Sequence, residues 1–476
     1  MVRLHWYLFF ASFTLSASET WNISASQIIS AESFHLVFQD FVIRYWKKNT
    51  WHGASAWTSD LTDRILIRYL RHLLKSQDIS NAKIFEYTDL TFTKIVNRAL
   101  TRNMMFEYFT QANDDFGWVT SKSLDAIEFS YEYETSNPNS AISPLFPQIR
   151  NRLAFRASFF HDIVQDSWTT EYCGGGVEWL QHTIENTVWP TLVSRTIFKN
   201  TITNHLYVSN CAQIYKAYPG IGRPVELTEV AISNIRSLWK RVRVVFGWDR
   251  FHQDFNFQDI SLLDQASRGL LWMHNAGFLT EDLLYGDGLR LSTTQRTGRA
   301  TRVRIACDLK DNTIYSYNQL AGLRALKRLF EINGNYSLLE EGHATISNFI
   351  RATRSGPFGS QGILQDTCDQ KATCDQDAQA FKGSTFVDLI DFCQQLQRSN
   401  VTEEAIGHHE KNCRSYQPFV EKNARAAYSS KDNEGNFGGA WMPNSEDVNE
   451  RGRGRSIETQ ISALAVLAAK LAFDKL

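Results

Sequence analysis

Only nine prolines occur in 476 residues, and no stretch rich in Ser, Pro and Gly divides the chain. That excludes a string of modules on flexible linkers and favours one continuous fold. Charge of neither sign prevails: 50 Lys and Arg face 51 Asp and Glu, a formal net charge of -1. The chain therefore lacks the basic surface that nucleic acid or an anionic membrane would require. Alternating apolar–polar strands are almost missing, which excludes a β-sandwich or barrel. No cysteine pair has the spacing of a zinc ribbon. The acidic loop from Gly362 to Gly383 lacks the glycine and closing glutamate of a calcium loop. No strand precedes Gly174-Gly175-Gly176 and no Gly-Lys-Ser/Thr follows, so a phosphate loop is excluded as well. Neither a metal nor an organic cofactor is expected.

The cysteines number seven, so at least one stays unpaired within the chain, while Cys368 and Cys374 are close enough in sequence to close a small ring. Disulfides imply export, and the N-terminus fits. Arg3 and His5 precede the apolar run Trp6 to Leu15, and Ser16-Ala17-Ser18 supplies small residues for cleavage. Residues 1–17 read as a signal peptide, and 18–476 as the mature domain. Three N-x-S/T triplets, at Asn22, Asn335 and Asn400, agree with a secreted glycoprotein. Lys470, Asp474 and Lys475 interrupt the C-terminal apolar tail, so no lipid anchor is expected.

What is abundant is helical periodicity. Apolar residues at three- and four-residue spacing mark segments near 26–47, 57–75, 82–110, 115–133, 149–165, 193–216, 224–247 and 257–276. Others follow near 315–333, 337–353, 380–398, 401–428 and 456–473, about twelve or thirteen helices in all. Arg64 to Leu74 sets apolar and basic residues on opposing faces. Polar stretches at 134–146, 285–314, 354–379 and 429–455 read as long loops on one rim. One all-α core of this length exceeds the usual size, but a toroid of paired helices escapes that limit. A solenoid would show a fixed repeat, and none is present. Two helical domains are the remaining alternative.

Aromatics are plentiful, with 13 Trp, 17 Tyr and 31 Phe. Most belong in the core, and some Trp suit a groove where indole faces stack on sugars. Asn113-Asp114-Asp115 follows a long helical run. Asn and Asp are favoured helix caps. Neighbouring carboxyls about 5 Å apart are also what a retaining glycosidase requires, and their mutual repulsion raises one pKa. Gly174 and Gly175 let a ligand approach the main chain. Tyr317-Asn318-Gln319 offers a ring and amides that suit sugar hydroxyls, or a helix start.

Asn-Asp-Asp, Cys173-Gly-Gly-Gly-x-x-Trp179, Tyr315-Ser-Tyr317-Asn318-Gln319 and Asp377-x-x-x-Phe381-Lys382-Gly383, in that order, resemble glycoside hydrolase family 76, which comprises endo-α-1,6-mannanases and related fungal cell-wall proteins. The likeness runs from about residue 26 to the closing helix with Glu458-Thr-Gln-Ile-Ser-Ala463. It implies an (α/α)6 barrel and retention of configuration. Asp114 then matches the nucleophile and Asp115 the acid/base. Asn113, Trp118, Gly174, Gly175, Trp179, Tyr317, Asn318, Gln319, Asp366, Phe381 and Lys382 fall in segments that border the family's cleft. The partner implied is α-mannan or a mannoprotein glycan, met by a secreted monomer, free or cell-wall associated. Val119 and Leu320 depart from the pattern, as does the Arg-bearing stretch Leu289 to Arg304. A transglycosidase, an inverting relative and a mannan-binding protein without turnover are the alternatives.

Overall fold

The computed structural model describes residues 30–75, 80–101, 112–180, 197–217, 260–295, 303–394, 396, 401–443, 445, 447 and 455–476. The signal peptide, the helix expected at 224–247, and Asn22 and Asn400 lie outside them.

Among the described residues, helices of eleven residues or more are α1 Ala31–Tyr45, α2 Ala56–Leu74, α3 Asn81–Thr101, α4 Asn113–Ser136, α5 Phe146–Asp166, α6 Thr201–Ala217, α7 Ile260–Ala276, α8 Leu323–Asn333, α9 Ser337–Ser355, α10 Phe381–Cys393, α11 Glu403–Ser415, α12 Gln417–Ser429 and α13 Ile457–Phe473. The single segment expected over 401–428 is two helices, broken at Tyr416 with Pro418 in the first turn of the second.

Six of these helices close a ring. α2 packs on α4, α4 on α6, α6 on α8, α8 on α10, α10 on α13, and α13 returns to α2. The others lie outside: α1 and α12 on α13, α3 on α2, α5 on α4, α7 on α6, α9 on α8 and α11 on α10. This is the expected (α/α)6 barrel. Each ring helix is covered on the outside by a partner and on the inside by the others. Its residues are therefore buried all round, as in α13, where buried positions run unbroken from Ile457 to Leu471.

Two features differ from expectation. The stretch taken as loop at 285–314 contains an antiparallel hairpin, β2 Gly288–Gln295 and β3 Val303–Asp311, joined on one edge by β1 Phe198–Asn200. A β-bulge between Arg290 and Ser292 interrupts the alternation. The basic face of α2 is also not a solvent face. Arg64 and Arg68 are each 1% exposed and point into the barrel against Asp125 and Asp391. Periodicity locates such a stripe, but the carboxylates that accept it come from α4 and α10.

Three disulfides are formed: Cys173–Cys307, Cys368–Cys374 and Cys393–Cys413. Cys211 is free and buried. No described helix is long and apolar enough to cross a membrane.

Candidate active site

The N-terminal ends of the ring helices converge on one rim. Trp57 is the second residue of α2, Asp114 and Asp115 lie in the first turn of α4, and Phe381 opens α10. Thr201 opens α6 and donates its N–H to the carbonyl of Asp287. Glu458, in the first turn of α13, accepts from the Thr58 hydroxyl of α2 at 3.2 Å. Helix N-termini carry partial positive charge, so their convergence favours carboxylates there.

Asp114 and Asp115 do not cap their helix. The N-cap is Ala112, which makes no side-chain capping bond, and the aspartates sit inside the first turn. Asn113 is wholly buried, its N–H donating to the carbonyl of Trp179 and its amide to that of Glu178, at 2.7 and 2.8 Å. These bonds draw the 177–180 segment across the start of α4. The Trp179 indole then donates to Asp114 Oδ1 at 3.1 Å, and the Asp115 N–H reaches the same oxygen at 3.2 Å. Both aspartates are half-buried.

Burial pushes the Asp114 carboxyl well above the ordinary carboxylate range, and the neighbouring Asp115 charge adds to it. The indole and backbone N–H groups oppose this by favouring the ionised form. Two carboxyls so close disfavour the doubly ionised pair.

An aromatic wall faces this pair. Tyr317 stacks on Phe381 at 4.2 Å between centroids, Tyr315 meets Phe381 edge-on at 5.4 Å, and Trp57 lies 6.1 Å from Phe381. All four rings are half-buried, unlike the closed core around them. The Tyr317 phenol is pushed well above its usual value by burial and then by the charges of Asp287 and Asp114. Asp287, also half-buried, accepts from the Asn318 amide at 3.1 Å, and burial raises its carboxyl to about 6. Sequence reading passed over Asp287 and Trp57; the Gly286-Asp287-Gly288 turn was the available signal for the former.

Of the residues expected at the site, Asp114, Asp115, Trp179, Tyr317 and Phe381 stand together with partial access to solvent. Of the rest, Gly174 is exposed and the others are buried. Trp118 is 2% exposed, packed 5.7 Å from Trp57 and lying in one cluster with Tyr317. Gln319 brackets the backbone of Tyr285, taking its N–H and giving to its carbonyl. Asp366 receives both the N–H and the hydroxyl of Ser316 at 2.7 Å, which fixes the turn bearing Tyr317. Lys382 is fully buried and paired with Asp369. Gly175 and Gly176 serve packing: a Cβ there would approach Trp272 to 2.7 and 2.3 Å. Only at Gly174 is there open space.

Among the described residues, His343, His409 and Cys413 lie close enough to share a metal ion. Cys413 is bonded to Cys393, and His343 and His409 hydrogen-bond each other at 3.0 Å, so that cluster is committed to structure.

Residues 255–476 match the model of glycosyl hydrolase family 76. That span includes the Tyr317 and Phe381 segments; the aspartate pair and the glycine loop precede it. No curated protein matches the chain. Among solved structures, the chain is similar to Dfg5 from Chaetomium thermophilum in complex with glucosamine, with a TM-score of 0.59, 14% identity and coverage of 93% of this chain and 90% of that one. It is also similar to an inactive variant of the alpha-1,6-mannanase GH76A of Salegentibacter sp. HEL1_6 in complex with alpha-1,6-mannotriose, with a TM-score of 0.55, 14% identity and coverage of 93% and 99%. The family 76 mannosidase of Bacteroides thetaiotaomicron VPI-5482 gives a TM-score of 0.52 at 16% identity, covering 94% and 98%.

Proposed function

We propose that this chain, which has the barrel of the family 76 structures and matches that family's model over residues 255–476, is a secreted, retaining endo-α-1,6-mannanase. The observation that carries the reading is the adjacent pair Asp114 and Asp115 in the first turn of a ring helix, with an indole N–H on one of them. Asp114 attacks the anomeric carbon, and Asp115 protonates the leaving glycosidic oxygen. Asp115 then takes a proton from the incoming water as the glycosyl ester is cleaved. Attack needs Asp114 ionised and Asp115 protonated. The Trp179 and Asp115 N–H groups and the dipole of α4 favour that distribution against burial. Rings of Trp57, Tyr317 and Phe381 give sugar C–H faces a surface to lie on.

The mannotriose complex of the Salegentibacter mannanase supports an α-1,6-linked mannan as substrate. Three disulfides support export. Transfer to a sugar hydroxyl in place of water is the second reading, because the same glycosyl ester serves either acceptor. Incubation with unbranched α-1,6-mannan, with products followed over time, tests both readings. Shorter oligosaccharides are expected from hydrolysis and rearranged longer ones from transfer. Neither product from folded protein would sink the proposal.

A further inference from the structure

Four consecutive residues, Cys173, Gly174, Gly175 and Gly176, have positive φ, from 59° to 156°. The turn they make gathers carbonyl oxygens. Those of Thr169, Tyr172 and Gly175 all accept from Nζ of Lys199, the first two at 2.8 and 2.9 Å. The Cys173 carbonyl accepts from the Trp272 indole at 2.8 Å, and that of Gly176 from the Thr169 N–H at 3.1 Å.

Three oxygens thus meet one nitrogen. An ammonium has three N–H donors and matches them, whereas a neutral amine has two and would set its lone pair against the third oxygen. Lys199 is wholly buried, so bulk solvent does not supply the missing donor. Burial lowers its pKa to about 8, and the charge of Glu178 opposes that. From α7 the Trp272 ring lies 5.7 Å from the ammonium. Arg290 of β2 lies 4.0 Å over the Phe198 ring, on the other face of β1.

The Trp179 indole, which holds Asp114, has two supports. One is the glycine loop that leads into it. The other is β1, where the Phe198 carbonyl accepts the Trp179 N–H at 2.8 Å and the two rings meet edge-on at 6.1 Å. Lys199 follows Phe198 and ties that strand to the loop. Asn113 and Asn204 fix the main chain of residues 177–179 from α4 and α6, and leave the indole to these two supports.

We infer that Lys199, as the ammonium, is a positioning residue that fills the carbonyl cup of the glycine loop and so keeps the Trp179 indole on Asp114. The inference rests on the reading of Asp114 as nucleophile.

A double-mutant cycle on unbranched α-1,6-mannan tests it. Lys199→Met should lower kcat/KM about tenfold in the parent, the loss expected when one hydrogen bond to a charged group goes. In a Trp179→Phe background the same change should cost less than about twofold, because the bond it supports is already gone. Equal losses in both backgrounds would refute the inference. A crystal structure of Lys199→Met needs no substrate, so it decides even if the mannanase reading fails. The indole should stand beyond hydrogen-bond distance of Asp114 Oδ1, and an indole still in place overturns the inference. Should that variant fail to fold, crystals of the unaltered chain moved from about pH 6 to about pH 10 should show the same displacement as Lys199 loses its proton. Ionised Asp114 would by itself hold the indole more firmly at the higher pH, so an indole that does not move refutes the role.

Discussion

The indole N–H of Trp179 ends 3.1 Å from Oδ1 of Asp114, joining two residues 65 positions apart. Its donor favours the ionised carboxyl, which burial and Asp115 disfavour. Trp179→Phe keeps the ring and removes the donor. The Asp114 pKa should rise further, moving the acidic limb of the kcat/KM profile to higher pH. A loss of about tenfold in kcat/KM at neutral pH is expected, the value of one hydrogen bond to a charged group. An unmoved limb in a pH–rate profile would show that the bond has no catalytic role.

Asp115→Asn removes the charge that helps hold Asp114 up, so the remaining carboxyl should titrate lower. Turnover should fall by about 10³-fold or more, as should that of Asp114→Asn. A raised folded-state pKa contributes stability that is present at low pH and lost as pH rises through the folded value. Relieving it should make both variants at least as stable as the parent above neutrality, measured by denaturant unfolding.

Gly176 has φ +92° and its added Cβ would lie 2.3 Å from Trp272, while Gly174 at φ +67° has open space. Gly176→Ala should cost about 3 kcal/mol or more in stability, and Gly174→Ala only about 1 kcal/mol. Thermal unfolding of the two side by side checks the difference.

The Cys173–Cys307 bond spans 134 residues and ties the glycine loop, which leads into Trp179, to β3. Replacing both with Ala should lower stability by about 2–5 kcal/mol. KM should rise as Trp179 loses its support. Assays and unfolding of the double variant read both effects.

Buried His161 and His205 have pKa values depressed to about 4 and about 3 by burial. The unfolded chain takes up these protons near 6.5, so their contribution is present above that pH and lost as pH falls towards 4 and 3. Each should remove about 2 kcal/mol between pH 8 and pH 5. Denaturant unfolding across that range should show the decline, with His161→Gln flattening it.

The residues alone determined most of the helices and the motifs that surround the aspartate pair. Three- and four-residue spacing records which face each helix buries, and that information is local. Loops at 134–146 and 354–379 were legible for the same reason. The hairpin over 288–311 was not, because a bulge breaks its alternation and its partner strand lies near residue 198. Asp287 and Trp57 escaped notice, since a Gly-Asp-Gly turn and a lone Trp at a helix start are weak signals, and only ring closure brings the two to one rim. Tertiary structure also decided what each motif residue does. Lys382 turned inward to Asp369 and Asp366 to Ser316, leaving Tyr315, Tyr317 and Phe381 as the half-buried rings of their segments. The basic stripe of α2 shows the limit most clearly. Its sequence gives an amphipathic helix with water on one side, but the carboxylates that bury it lie about 60 and 320 residues away. Charge pairing across a closed barrel depends on which helices become neighbours, and no local pattern carries that.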